Sequence, residues 1–421
     1  MDQRYKILII AQNVGFIDAE VKYGASRAVI EIAKYLASKK LYQVYVAGLS
    51  DRQLLFIDEQ KQNIQYLLVE NKNNLEKYIK YNIKHVDILI QTSELDYITS
   101  IKATKYLVYQ HNPCSINIKN ISATDVINLF KISILCVSSY SRQQQINYGI
   151  NENLINVVHN GYDSSIFFYK ESKYRHPLSI IFVGNIVGYK GVDIALRAFI
   201  QIKKEFPGAI FNICGSNHSW QDIKQHYFKT EWLDSDGFPV WSKIELEISG
   251  VKYLGELSQS DLAEQFRQHS LLITPSRIGE TFGLVSIESQ ACGCIPILPN
   301  RGGFSETLQD RKTGYLYEDN APEAIANMII DLWNRGLPTI EQRYQAQIWT
   351  QDNFSWEKAG VTFLRIIETI PDHKTSLLVN NFSCLIIRYN QWLREKILKI
   401  HLFYKQKILL EKLTDKMFNN R

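Results

Sequence analysis

Residues 178–199, LSIIFVGNIVGYKGVDIALRAF, open on an apolar run, pass through glycines at 184, 188 and 191, and continue into a helix expected over 191–205. The run shows no polar–apolar alternation, so it reads as a strand covered on both faces, as in a parallel sheet. Leading into it, FFYKESKYRHPLS (167–179) is charged and aromatic and reaches a proline, Pro177, just before the strand. That composition reads as an interdomain linker, and the strand after it as the start of a second domain.

The same alternation extends in both directions. Upstream stand the strands YKILIIAQ (5–12), YQVYVAG, DILIQ, YLVYQ, ILCVSS and INVVHNG, with a helix in ASRAVIEIAKYLASKK. Val29, Ile32, Ala33 and Leu36 recur there at helical spacing, while Glu31, Lys34 and Lys39 take the other side. Downstream follow AIFNICG, an irregular stretch over 216–250, VKYLG, a helix over 258–268, LLITPS, a helix from about 283, and IPILP. The expected fold class is α/β: two tandem doubly wound, Rossmann-like domains over 1–170 and 171–355, facing a cleft. Residues 356–373 are expected to form a helix that crosses back to the first domain, and 374–421 a separate helical tail. A ligand is expected between the domains, near the strand C-termini.

With 421 residues, about two domains are expected; 45% hydrophobic content and seven tryptophans exclude a disordered chain. The formal charge of +5 belongs to the tail: residues 374–421 carry +7 and the preceding 373 carry −2. This distribution gives no reason to expect a nucleic-acid partner. The longest apolar runs fall short of the roughly 18 residues that a membrane span needs, which makes a cytoplasmic location the expectation. Cys114, Cys136, Cys214, Cys292, Cys294 and Cys384 are scattered without zinc-ligand spacing and read as reduced and structural.

The chemistry concentrates in RIGETFGLVSIESQACGCIPILP, 277–299. A strand, a loop and a glycine-led helix form a natural seat for phosphate, because a helix N-terminus presents unpaired N–H groups and partial positive charge. Glu280 lies in the loop and Glu288 about 1.5 turns inside the helix, roughly 7 to 8 Å from Gly283 along its axis. A nucleoside diphosphate sugar seated on Gly283 would present hexose hydroxyls to Glu280 and its ribose diol to Glu288, since ionised carboxylates offer only acceptors. The plainer alternative makes Glu280 a loop charge and Glu288 an exposed helical residue. Lys190, just before Gly191 in the first quoted stretch, could meet the same phosphates. The sequence carries no Asp-x-Asp near a strand end and no histidine cluster, so a metal site is not expected.

Taken in order, YGASRAVIEIAKYLA, VSSYSRQQQINYGI, INVVHNGYDSSIF, FVGNIVGYKGVDIALRAF and PSRIGETFGLVSIESQACGCIPILPNRGGFSETLQDRKTGYLY carry a resemblance. Over about 1–370 the chain resembles the GT-B glycosyltransferases of family 4, the retaining group 1 class. The resemblance implies a donor bound mainly by the second domain and a hydroxyl acceptor, a glycan or a lipid-linked one, bound by the first. It implies that Glu280 holds the donor sugar and Glu288 the ribose, and that Gly283 and Leu284 amides with Lys190 hold the diphosphate. It also implies that His111 faces the donor sugar across the cleft and that Gly24 approaches the phosphates. Catalysis then rests on Glu280, Lys190 and His111, with retention at the anomeric carbon, no cofactor and no metal. One position departs: Asn185 stands where many relatives carry an arginine, and Arg277 or a residue of the other domain is the expected substitute. The departure keeps a second reading open, a catalytically silent nucleotide-sugar-binding protein. A nucleotide-sugar epimerase of the same fold is a third.

In the tail, Phe382, Ile386, Tyr389, Leu393, Ile397, Ile400 and Tyr404 recur among Lys396, Lys399, Lys405 and Lys407. This basic amphipathic pattern suits packing on the protein itself or on a second subunit. It equally suits peripheral attachment to an anionic membrane surface.

Overall fold

Unalternating apolar runs become the inner strands of two parallel sheets in the computed structural model of the chain. It describes residues 4–372 apart from 12–23, 50–56, 216–249 and short stretches at 62, 70, 84, 94, 98–100, 113, 119–120 and 172–174. The basic tail and most of the irregular 216–250 stretch therefore lie outside the described residues.

The first domain contains β1 (Tyr5–Ile10), α1 (Gly24–Ser38), β2 (Tyr42–Leu49), β3 (Ile57–Lys61), β4 (Ile64–Val69), α2 (Lys72–Asn82), β5 (His85–Thr92) and β6 (Lys102–Gln110). A short pair, β7 (Asn117–Ile118) and β8 (Ile121–Ser122), precedes α3 (Thr124–Phe130), β9 (Ser133–Cys136), α4 (Ser139–Asn147) and β10 (Ile155–Val157). The sheet order is β10-β9-β6-β5-β1-β2-β4-β3, parallel except for β3 at its edge. Burial on both faces explains the unbroken hydrophobicity. Ile7, Ile9 and Ile90 pack with Val29, Ile32 and Leu36 of α1, whereas Leu8, Ile10 and Leu89 pack with Leu75 and Ile79 of α2.

The second domain contains β11 (Ser179–Val183), α5 (Val192–Glu205), β12 (Ile210–Cys214), β13 (Val251–Gly255), α6 (Gln259–Gln268), β14 (Leu271–Ile273), α7 (Leu284–Ala291), β15 (Ile295–Pro299) and β16 (Tyr315–Tyr317). Then follow α8 (Pro322–Asn334), α9 (Ile340–Asn353) and α10 (Trp356–Thr369). Its order, β13-β12-β11-β14-β15-β16, is parallel throughout and reverses direction between β11 and β14. At such a switch point the loops leaving the two strands diverge and open a crevice. Those loops carry Lys190 and Glu280.

The 167–179 segment is fastened to the second domain. Phe167 is fully buried beside Phe266, and Arg175 donates to the carbonyls of Phe266, His269, Cys292 and Gly293. The chain crosses between domains twice at one place, where Tyr162 bridges Ser355. Beyond it α10 lies on the first domain: Phe363 meets the Tyr109 ring edge-on at 5.3 Å and Lys105 Nζ donates to the Ile367 carbonyl at 2.8 Å. The five described cysteines are free, four of them buried. Among the described residues no helix is long and apolar enough to cross a membrane.

Candidate active site

Lys190 ends a single 3-10 turn, Gly188–Lys190, between β11 and α5, and its Nζ lies 2.5 Å from Glu280 Oε1. Burial pushes the Lys190 ammonium down, but the charge and hydrogen bond of Glu280 outweigh it and leave the group above the usual lysine range. Lys190 is thus a cation at neutral pH. The bond to Glu280 uses one of its three N–H donors. The two loops are knitted together beneath this pair. Arg277 donates its backbone N–H to the Tyr189 carbonyl at 2.8 Å, and its guanidinium grips Asp193 bidentately at 2.8 and 2.6 Å. It also donates to the Gly188 carbonyl. This corrects one expectation: Arg277 does not replace the arginine missing at 185, because its guanidinium is occupied under the turn by Asp193 and the Gly188 carbonyl. Asn185 itself lies partly buried at the start of that loop, its carbonyl accepting Val187 N–H.

Gly283 forms the N-cap of α7 at φ +96°, and a Cβ there would meet the Phe304 ring at 2.4 Å. Only glycine allows both the left-handed backbone and that approach, which leave the first α7 amides facing out of the helix end. Leu284 touches the first domain: a Cβ on Gly24 would stand 2.8 Å from Leu284 Cδ1. One turn along α7, Glu288 is 1% exposed, which removes the reading of it as a solvent-facing helical residue. Its Oε1 pairs with Arg27 of α1, and its Oε2 is buried without a hydrogen-bond partner among the described residues.

His111 follows the end of β6, its ring buried and 4.1 Å from the Tyr109 ring. Burial pushes the imidazole down to about 3, so it is neutral at working pH. Its Nε2 is buried without a hydrogen-bond partner among the described residues. Such an orphaned group is a candidate for a ligand hydroxyl. The structure thus joins Lys190 with Glu280, and Gly24 with Leu284 and the Glu288 helix, whereas it gives His111 no direct bond to either group.

The cleft is closed by contacts that a reading of local spacing did not reveal. Glu306 of the second domain accepts the Ser139 and Tyr140 N–H groups at the start of α4, at 2.8 and 2.9 Å, and meets His159 Nε2 at 3.1 Å. Ser138 Oγ donates to the Thr281 carbonyl in the Glu280 loop. Burial pushes the Glu306 carboxyl up, but the bonds from His159, Ser139 and Tyr140 outweigh it and hold it below its usual 4.5. A depressed carboxylate contributes stability that is present above the unfolded value and lost as pH falls through the folded one. Glu306→Gln is expected to lower stability by about 1–2 kcal/mol at neutral pH, like the loss of a helix cap. The gap to the parent should close as pH drops below about 4.5. Urea unfolding at pH 7 and pH 3.5 tests this, and a gap that persists at the lower pH counts against the latch. The GGFSE run that includes Glu306 lies within the stretch that carries the resemblance, but its partner at the α4 N-terminus was not legible.

Among the described residues no group of three or more His, Cys, Asp or Glu is placed to hold a metal ion.

Residues 164–347 match the family model Glycosyl transferases group 1. The chain is 29% identical over 242 residues to an uncharacterized glycosyltransferase, MJ1178, of Methanocaldococcus jannaschii, covering 57% of this chain and 60% of that one. It is 26% identical over 228 residues to a D-inositol 3-phosphate glycosyltransferase of Paenarthrobacter aurescens, covering 52% of each. The chain thus spans about half to three-fifths of these relatives. Among solved structures it is similar to Anabaena Alr3699/HepE in complex with UDP and glucose, with TM-score 0.66 at 16% identity, over 87% of this chain and 100% of that one. The fold is GT-B.

Proposed function

We propose that this chain, whose residues 164–347 match the group 1 glycosyltransferase model, transfers a sugar from a nucleoside diphosphate sugar to a hydroxyl acceptor with retention at the anomeric carbon. The observation that carries this reading is the pairing of Lys190 with Glu280 at the switch point of the second sheet, beside a glycine-capped helix end. Similar folds hold UDP and a sugar together, which suits a donor of this class.

Negative charge develops on the departing diphosphate, and the α7 amides with Lys190 stand ready for it, so the transfer is read as metal-independent. Glu280 accepts hydrogen bonds from the donor sugar, and Glu288 Oε2 from the ribose. His111, neutral, offers Nε2 to a sugar hydroxyl. The acceptor oxygen bonds to the anomeric carbon as the bond to the β-phosphate oxygen breaks. The electron pair leaves with the diphosphate, whose oxygen takes the acceptor's proton. The acceptor, a glycan or a lipid-linked one, is proposed to enter from the first domain.

A thermal-shift screen of nucleoside diphosphate sugars tests donor binding, since any ligand of the folded state alone stabilises it. Stabilisation by at least one donor, followed by release of its diphosphate when acceptors are added, is expected. Stabilisation without release points to the silent binder that Asn185 suggests. An epimerised sugar without an acceptor points to the epimerase.

A further inference from the structure

The α1 helix of the first domain contributes more than packing to this site. Its first residue, Gly24, abuts Leu284 at the start of α7, so two helix N-termini converge on one spot. One turn into each helix, Arg27 reaches Glu288 across the domain boundary. The pair is nearly dry, with side-chain exposures of 17% and 1%. Yet it leaves a donor and an acceptor unused: Arg27 Nε and Glu288 Oε2 are both buried and, among the described residues, both without hydrogen-bond partners. A buried ion pair is tolerated when its remaining lone pairs and protons are also satisfied. Here one N–H and one carboxylate oxygen await a ligand that offers an anionic acceptor on one side and a hydroxyl on the other. A ribose 5′-phosphate unit has that arrangement.

Resting on the donor reading above, we infer that Arg27 is a diphosphate-binding residue, supplied by the first domain while its ion pair with Glu288 fixes the guanidinium in place. Nε–H donates to a phosphate oxygen of the nucleotide, and Glu288 Oε2 accepts a ribose hydroxyl. The inference answers the charge deficit at this helix end. Lys190 supplies one cationic donor, Arg277 spends its guanidinium on Asp193 and the Gly188 carbonyl beneath the turn, and position 185 is an asparagine. Arg27, paired with Glu288 but with its Nε–H unused, is the second cationic donor, and because it comes from the opposite domain it completes the seat only when the cleft is closed.

The test measures binding of UDP, GDP and ADP, and of uridine, guanosine and adenosine, to the full chain and to Arg27→Gln. Arg27→Gln should weaken the nucleoside diphosphate that binds best by about 10- to 100-fold, as loss of a charge-assisted hydrogen bond implies, and leave its nucleoside within about threefold. Arg27→Lys should recover part of the loss. If Glu288, left unpaired, unfolds the single variant, the same comparison is made between Glu288→Gln and Arg27→Gln/Glu288→Gln, where the diphosphate-specific loss should reappear. Equal losses for nucleoside and diphosphate would show that Arg27 only latches the domains, and no loss would show that it does neither. A parent chain that binds none of the diphosphates overturns the inference together with the donor reading, which separates that failure from the failure of Arg27 alone.

Discussion

For the transfer proposed above, Lys190→Ala should lower kcat about 10²- to 10³-fold, the scale expected when one preorganised charge aimed at a developing anion is removed. Two effects act in the same direction. The leaving diphosphate loses a cation that the Glu280 contact keeps charged at neutral pH. Glu280, whose side chain is 18% exposed, also loses its counter-ion and repels the phosphate instead. The double variant Lys190→Ala/Glu280→Gln should therefore lose less than the product of the two single losses, because the groups act as a unit. Initial rates of diphosphate release with a competent donor and acceptor provide the measurement. A Lys190→Ala rate within fivefold of the parent would remove Lys190 from the mechanism.

Much of this site was legible because its parts are close in sequence. Gly188, Lys190 and Gly191 form one turn, and Glu280, Gly283 and Glu288 span one loop and one helix; local spacing therefore placed them on strand ends and a helix N-terminus. The unalternating apolar strands likewise announced two parallel sheets. The polar edge strand β3, with the residues IDEQK, offered no such signal, and the 57–82 segment was not read. The decisive pairings are also hidden, since they depend on how two domains face each other. Arg27 looks like one more polar residue at the start of an amphipathic helix, but it meets a carboxylate 261 positions away. Glu306 meets an α4 amide 167 positions away. Arg277 reads as a spare cation until Asp193, 84 positions earlier, is seen to hold it. Charge type alone does not distinguish a residue that faces substrate from one that braces a loop.

The bracing of the two loops yields the prediction with the largest expected effect on the fold. Gly191→Ala should destabilise the chain by about 3 kcal/mol or more and abolish transfer. Gly191 stands at φ +76°, and a Cβ there would lie 2.0 Å from the Pro275 carbonyl oxygen. That carbonyl has little room to retreat: it accepts from Asn320 Nδ2 at 3.2 Å, and the next two residues bond back to Tyr189. Alanine must therefore push the β11 and β14 loops apart, separating Lys190 from Glu280. Two further glycines divide the cost into its parts. Gly336 has φ +69° but open space around it, so Gly336→Ala should show only the left-handed penalty, about 1 kcal/mol. Gly208 has neither constraint, and Gly208→Ala should stay within about 0.5 kcal/mol of the parent. Urea midpoints for the three variants should rank Gly191, Gly336, Gly208 from most to least destabilised. If Gly191→Ala loses no more stability than Gly336→Ala, the two loops are not in the contact on which the Lys190–Glu280 pair depends.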